Sequence, residues 1–359
     1  MIRGHGGNIY ALAKALGCRP EAIIDMSSNV NPFGPPPGLL THLKERLLRI
    51  GALPEVDARS AVERFAHHCG LPAMQVAIAS GTTQLIYQLP RALKTKRALI
   101  IGPTYADYRD GCARHRVESV LCLAGQENSF HPDVNALRAD LEDFDTVYVC
   151  NPNNPTGTLI GRQTLADLCR EFPATRFIVD ESYLPFVEGR EDVTLVRDRP
   201  PNVLVLHSMS KIFRIPGLRI GFAIGEAEII RCLEDHALPW NINSLALEAV
   251  HYLLDAEDAM AAFVRDTQDR LAYEQTAMLE RLSVIPGLHV FPSATGFFLV
   301  RLPASYQSSA VCRKLAEEKI LVRDCANFEG LSDRFIRISL QDGDTNRRCA
   351  RALEAVLMT

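Results

Sequence analysis

Three polar stretches follow directly on short apolar runs, and their side chains together could manage charge at a single site. Thr146–Cys150 runs into Asn151-Pro-Asn-Asn-Pro-Thr-Gly157, and Phe177–Val179 runs into Asp180-Glu-Ser-Tyr183. Val203–His207 runs into Ser208-Met-Ser-Lys211, with Pro216-Gly-Leu-Arg-Ile-Gly221 shortly after. Taken singly, each has an ordinary role. NPxG makes a good turn, an Asp after a strand often caps a helix, and a lone Lys is usually solvated. Together, in this order and each at the end of an apolar run, they point to one site containing Asn154, Asp180, Tyr183, Ser208, Lys211 and Arg219. A lysine set among Arg219 and apolar walls loses its proton more readily than a solvated one, which suits it to act as a nucleophile.

Two further groups suit anions. Gly81, Thr82 and Thr83, in Ser80-Gly-Thr-Thr-Gln84, join a strand to a helix. Free backbone N–H groups at such a helix start attract negative charge, and the Thr83 hydroxyl adds a bond; the alternative is an ordinary helix cap. His5, Asn29, Asn31 and Arg323 are polar donors that could converge on a second anion, although a lone Arg is commonly at the surface and a lone His in the core.

The elements that must position these residues alternate. Short β-branched runs at Val76–Ala79, Ala98–Ile101, Val117–Leu123, Thr146–Cys150, Phe177–Val179, Val203–His207 and Ile220–Ala223 are separated by amphipathic segments such as Gln84–Leu93, Leu165–Glu171 and Glu226–Asp235. Several runs are continuously apolar, as in strands covered on both faces. This predicts an α/β fold with a mostly parallel sheet flanked by helices, in which loops at the carboxyl ends of the strands meet at one edge. A long helical pattern from Ala246 to Arg281 predicts one bridging helix. Strands at Phe297–Arg301 and Phe335–Ser339, with helices at Ala310–Glu318 and from Thr345, predict a smaller α+β domain. The expected division is an N-terminal segment 1–45 contributing to the small domain, a large domain 46–245, and a bridging helix with small domain 246–359. The Pro-rich Asn31–Gly38 cannot be regular helix and predicts an ordered loop.

Composition narrows the partners. The 359 residues are 47% hydrophobic and 23% charged, with net charge −4. That is an ordinary globular composition without a broad basic face for nucleic acid or anionic lipid. No apolar run approaches the ~20 residues of a membrane helix, and no secretory signal is evident. Ten cysteines are scattered without a CxxC pair, which predicts reduced thiols, a cytoplasmic protein and no metal site.

The NNPTG loop, the D-x-x-Y turn and the S-x-S-K-x7-R block resemble the fold-type I pyridoxal 5'-phosphate (PLP) enzymes of the aspartate-aminotransferase superfamily. The resemblance spans essentially the whole chain. It implies a large domain built on a seven-stranded sheet, a homodimer and PLP as cofactor. It also implies that Lys211 forms the Schiff base, that Asp180 pairs with the ring nitrogen, and that Asn154 and Tyr183 bond the ring oxygen. Gly81, Thr82, Thr83, Ser208, Ser210 and Arg219 would hold the cofactor phosphate, and Tyr105, in Gly-Pro-Thr-Tyr, would stack on the ring. A buried carboxylate suits this chemistry because it keeps the ring nitrogen protonated, as an electron sink requires.

Gly4-His-Gly-Gly-Asn-Ile9, Asp25-Met-Ser-Ser-Asn-Val-Asn-Pro32 and Ile320-Leu-Val-Arg-Asp-Cys-Ala-Asn-Phe-Glu-Gly-Leu331 look like the threonine-phosphate decarboxylases of cobalamin biosynthesis, kin of histidinol-phosphate aminotransferase. This implies a phosphorylated amino acid as substrate: L-threonine O-3-phosphate, decarboxylated to (R)-1-aminopropan-2-yl phosphate. His5, Gly6, Asn29, Asn31, Asn154 and Arg323 would contact it, with Arg337 taking the α-carboxylate. Histidinol-phosphate transamination and serine-phosphate decarboxylation are the alternatives. Leu53 departs from the family, which usually has a Tyr there reaching the cofactor phosphate across the dimer.

Overall fold

A computed structural model describes residues 6–197 and 199–358. Its strands are β1 (Ile24–Met26), β2 (Val76–Ala79), β3 (Arg97–Gly102), β4 (Glu118–Leu123), β5 (Thr146–Cys150), β6 (Arg176–Asp180), β7 (Val203–Ser208), β8 (Gly221–Ile224), β9 (His289–Val290), β10 (Phe297–Arg301), β11 (Ile320–Asp324) and β12 (Phe335–Ser339). The continuously apolar runs become the larger sheet, ordered β2-β8-β7-β6-β5-β3-β4. β8 runs antiparallel to both neighbours and the remaining pairs are parallel. β5 and β8 are buried at every residue, whereas edge strand β4 is only partly covered.

Side-chain alternation along these strands divides the interior into two cores. Val147, Val149, Phe177 and Val179 face one core, where Phe65 stacks on Phe222 with ring centroids 3.8 Å apart. Tyr148, Cys150 and Ile178 face the other, against Leu85, Ile86 and Leu89 of the helix Thr82–Ala92. Covering both faces leaves only the strand ends open.

The second sheet, ordered β1-β11-β12-β10-β9, is antiparallel except for the β1–β11 pair. Through β1 the N-terminal segment joins this sheet. The single helix expected over 246–281 is instead two, Ser244–Asp255 and Glu257–Ser283, parted at Ala256. No Gly or Pro marks the break. The helices have different partners, since the first packs on Arg59–Cys69 and the second on Gly343–Leu357, so packing sets the bend. The Pro-rich loop is ordered by contacts from these helices: Tyr252 donates to the Pro37 carbonyl at 2.8 Å, and Arg270 lies over the Phe33 ring. Among the described residues no helix is long and apolar enough to cross a membrane.

Candidate active site

A cavity of about 460 Å³ opens where the carboxyl ends of β5, β6 and β7 face the second sheet. Each strand delivers part of its lining. After β5, the loop Asn151–Gly157 is braced from within: Asn151 exchanges two hydrogen bonds with the Ile160 backbone, and Asn153 donates to the Pro103 carbonyl at 2.8 Å. That bracing sets Asn154 at the cavity wall, where its side-chain oxygen accepts from Arg337.

β6 ends in Asp180, buried on the cavity floor. The Ser182 backbone N–H donates to its Oδ1 at 3.0 Å and the Tyr108 hydroxyl to its Oδ2 at 2.8 Å. Burial pushes the Asp180 carboxyl above its ordinary value, while these bonds and the charge of Lys211 pull it back. Tyr183, on the turn that follows, accepts a long bond from the Asn29 amide at 3.4 Å, and burial raises its hydroxyl to about 12. It remains a neutral donor at physiological pH.

β7 leads into the short helix Met209–Ile212, capped by the Ser208 hydroxyl. That turn places Lys211 in the cavity, with its ammonium 5.9 Å from the Tyr183 ring centre. Burial first, then the positive charges of Arg219 and Arg337, lower it to about 8. An appreciable fraction is therefore the free amine near neutral pH.

The helix Thr82–Ala92 points its N-terminus at the same cavity, with Thr82 and Thr83 in the lining. Gly81 precedes it at φ 82° and ψ 157°, a conformation essentially restricted to glycine. A Cβ there would stand 2.4 Å from the Arg219 guanidinium. The missing side chain thus lets Arg219 close on a helix N-terminus, which together make an anion cradle. Tyr105 lines the wall beside it and meets Tyr108 edge-on.

Across the cavity the second sheet presents two arginines. Arg337 on β12 is buried and donates to Asn154 and to the Ser27 carbonyl, leaving its Nε–H without a partner among the described residues. Arg323 on β11 is paired in register with Arg337 and donates to Asn327 at 2.8 Å. Gly6 also lines the cavity; a Cβ on it would meet the Ser27 carbonyl at 2.7 Å.

Two expectations need correction. Asn31 does not line the cavity: it is fully buried, its amide donates to the Ile212 carbonyl and the Thr267 hydroxyl, and its oxygen accepts from Phe33 N–H. It braces the helix that carries Lys211 rather than offering donors to a ligand. The Ser210 hydroxyl donates to the Ile220 carbonyl at 3.3 Å and is not part of the cavity lining. His5 lies outside the described residues. Tyr108, Tyr10, Val30 and Phe328, all in the lining, escaped sequence reasoning. Only the spacing of Tyr108 three residues after Tyr105, at the start of a helix, offered any signal.

A family model described as aminotransferase class I and II matches residues 21–356. The chain belongs to this family. As one of its members it is a PLP-dependent enzyme. The family enzyme is 30% identical to threonine-phosphate decarboxylase of Salmonella typhimurium, over 98% of this chain and 96% of that one. It is also 30% identical to histidinol-phosphate aminotransferase 2 of Pseudomonas aeruginosa, over 98% and 94% of the two chains. It matches the adenosylcobalamin biosynthesis bifunctional protein CobDQ of Leptospira interrogans at 28% identity, over 98% of this chain but only 41% of that protein's length. The crystal structure of L-threonine-O-3-phosphate decarboxylase from Porphyromonas gingivalis superposes with a TM-score of 0.84 at 29% identity, covering 94% of this chain and all of that one.

The cavity fits the cofactor chemically. It offers a buried carboxylate for a ring nitrogen, an amine that loses its proton more readily than an ordinary lysine for an aldehyde, and a glycine-opened helix N-terminus with a guanidinium for a phosphate.

Proposed function

We propose that this enzyme decarboxylates L-threonine O-3-phosphate, giving carbon dioxide and (R)-1-aminopropan-2-yl phosphate, in cobalamin biosynthesis. The observation that carries the proposal is the in-register pairing of Arg323 with Arg337 at the cavity wall. Like charges directly opposite on neighbouring strands destabilise a sheet. Two guanidiniums held this way call for a ligand that carries a carboxylate and a phosphate a few bonds apart. The relatives named threonine-phosphate decarboxylase, similar over their whole length, support the same assignment.

In this proposal Lys211 carries the cofactor, Asp180 faces its ring nitrogen, Asn154 and Tyr183 its ring oxygen, and Tyr105 its flat face. Gly81, Thr82, Thr83, Ser208 and Arg219 hold its phosphate. When bound, PLP supplies an electron sink for the pair released as a bond at the substrate α-carbon breaks. Arg337 binds the carboxylate and Arg323 the substrate phosphate, with Gly6 and Asn29 close by. The departing carbon dioxide is uncharged, so the bonds to Arg337, worth ~1.5–3 kcal/mol each, are lost. Anchorage through the phosphate keeps the product in place while Lys211 returns a proton to the α-carbon.

The protein acts as a cytoplasmic homodimer in this proposal. Leu47, Leu48, Ile50 and Leu53 are exposed, as are Val56 and Trp240, whose backbones are hydrogen-bonded to each other. A second copy would cover this apolar ground.

The test is direct: purified holoenzyme with L-threonine O-3-phosphate, followed by carbon dioxide release. A second candidate, histidinol-phosphate transamination, rests on relatives of equal identity. Glutamate formed from histidinol phosphate and 2-oxoglutarate, without carbon dioxide from threonine phosphate, would establish it and overturn the first.

A further inference from the structure

We propose that Tyr108 is a positioning residue for the cofactor, holding the Asp180 carboxylate in the orientation and charge state in which it meets the ring nitrogen. This rests on the assignment of Asp180 as the partner of that nitrogen. Tyr108 opens the helix Asp107–Arg114, is only 1% exposed, and is the sole described side chain that donates to Asp180 Oδ2, at 2.8 Å.

A carboxylate has about four acceptor directions. The Ser182 N–H takes one on Oδ1 and the Tyr108 hydroxyl one on Oδ2, so rotation about the Cβ–Cγ bond is stopped from both sides. The phenol is itself locked: Tyr105 meets it edge-on at 5.9 Å and Tyr148 lies 5.5 Å away on another side.

The bond also sets charge. Asp180 is buried, and burial favours its neutral acid; a donor to Oδ2 favours the carboxylate instead. Tyr108 cannot fail in this role by ionising, because burial and the charge of Asp180 push its own pKa well above the ordinary phenol value. Removing the hydroxyl should therefore weaken the carboxylate, and with it the positive charge on the ring nitrogen. The Lys211 nitrogen bonded to the cofactor, less repelled by that charge, should then keep its proton to higher pH.

The experiment is a pH titration of the visible absorbance of the cofactor-loaded enzyme, with kcat measured alongside. Three variants are compared: Tyr108→Phe, Asp180→Asn, and Tyr148→Phe as a control that deletes a neighbouring buried hydroxyl not bonded to Asp180. Expected are an upward midpoint shift of about one pH unit and a roughly tenfold fall in kcat for Tyr108→Phe, a larger shift for Asp180→Asn, and none for Tyr148→Phe. If Asp180→Asn moves the midpoint and Tyr108→Phe does not, the proposal for Tyr108 falls while the role of Asp180 stands. If Tyr148→Phe shifts it equally, the effect is not one of position, and the proposal also falls. If Asp180→Asn leaves the titration unchanged, the assignment of Asp180 falls and takes Tyr108 with it.

Discussion

Arg323 and Arg337 stand in register on adjacent antiparallel strands, β11 and β12, at the wall of the cavity that also holds Lys211. Arg337 is tied down by Asn154 and the Ser27 carbonyl, whereas among the described residues Arg323 bonds the exposed Asn327 and lies over the Phe328 ring. Burial depresses the pKa of both guanidiniums below the ordinary arginine value. The pair is an electrostatic cost when no anion is bound and an attraction for an anionic ligand.

Arg323→Gln should therefore act in opposite directions on stability and on binding. Relief of the like-charge pair raises the melting temperature of the substrate-free protein, while loss of a charge-assisted bond, worth ~1.5–3 kcal/mol, raises KM about 10- to 150-fold. Calorimetry and steady-state kinetics on one variant measure both. A fall in melting temperature would show that Arg323 is held by the protein and not reserved for a ligand.

Lys211 has a folded-state pKa of about 8 against an ordinary 10.5. Only the neutral amine attacks an aldehyde, so the rate at which apoprotein takes up PLP should rise with pH and level off above about 8. Between those two values the unfolded chain binds more protons than the folded one, so apoprotein stability should also rise with pH. Lys211→Met should abolish both slopes. An uptake midpoint near the ordinary lysine value would contradict the buried environment.

Gly81→Ala forces a Cβ to within 2.4 Å of the Arg219 guanidinium at a backbone angle reserved for glycine. The backbone strain costs about 1–3 kcal/mol, and displacement of Arg219 adds to it. PLP affinity should drop by tenfold or more, measured by fluorescence titration, while substrate KM at saturating cofactor stays close to that of the parent enzyme. Unchanged affinity would remove the phosphate from this end of the cavity.

The Asn31 side chain makes three hydrogen bonds, two buried ones donated and one part-buried accepted. Asn31→Ala leaves buried partners unsatisfied and should cost about 1–3 kcal/mol of stability in denaturant unfolding, with substrate KM unaltered. An elevated KM without a loss of stability would return Asn31 to the substrate site.

Many strands of both sheets could be read from the chain because their determinants are local. Val76–Ala79, Thr146–Cys150, Phe297–Arg301 and Phe335–Ser339 form strands with the expected ends, since continuous apolar runs bounded by polar turns admit few other structures. The loops after β5, β6 and β7 meet because parallel strands covered by helices leave only their carboxyl ends open. Residue type and order were therefore enough to gather Asn154, Asp180, Tyr183 and Lys211.

Tertiary structure decided whatever depends on where a side chain finds its partner. Asn29 and Asn31 differ by two positions in one loop, yet Asn29 reaches Tyr183 in the cavity while Asn31 turns into the interior toward Ile212 and Thr267. Nothing local separates two asparagines so placed. The break at Ala256 follows from two helices packing on different neighbours, without a Gly or Pro to announce it. The bond from Tyr108 to Asp180 spans 72 residues of sequence. Hydrogen bonding is short-ranged and directional, so such pairings exist only once the sheets and helices have brought their atoms within about 3 Å.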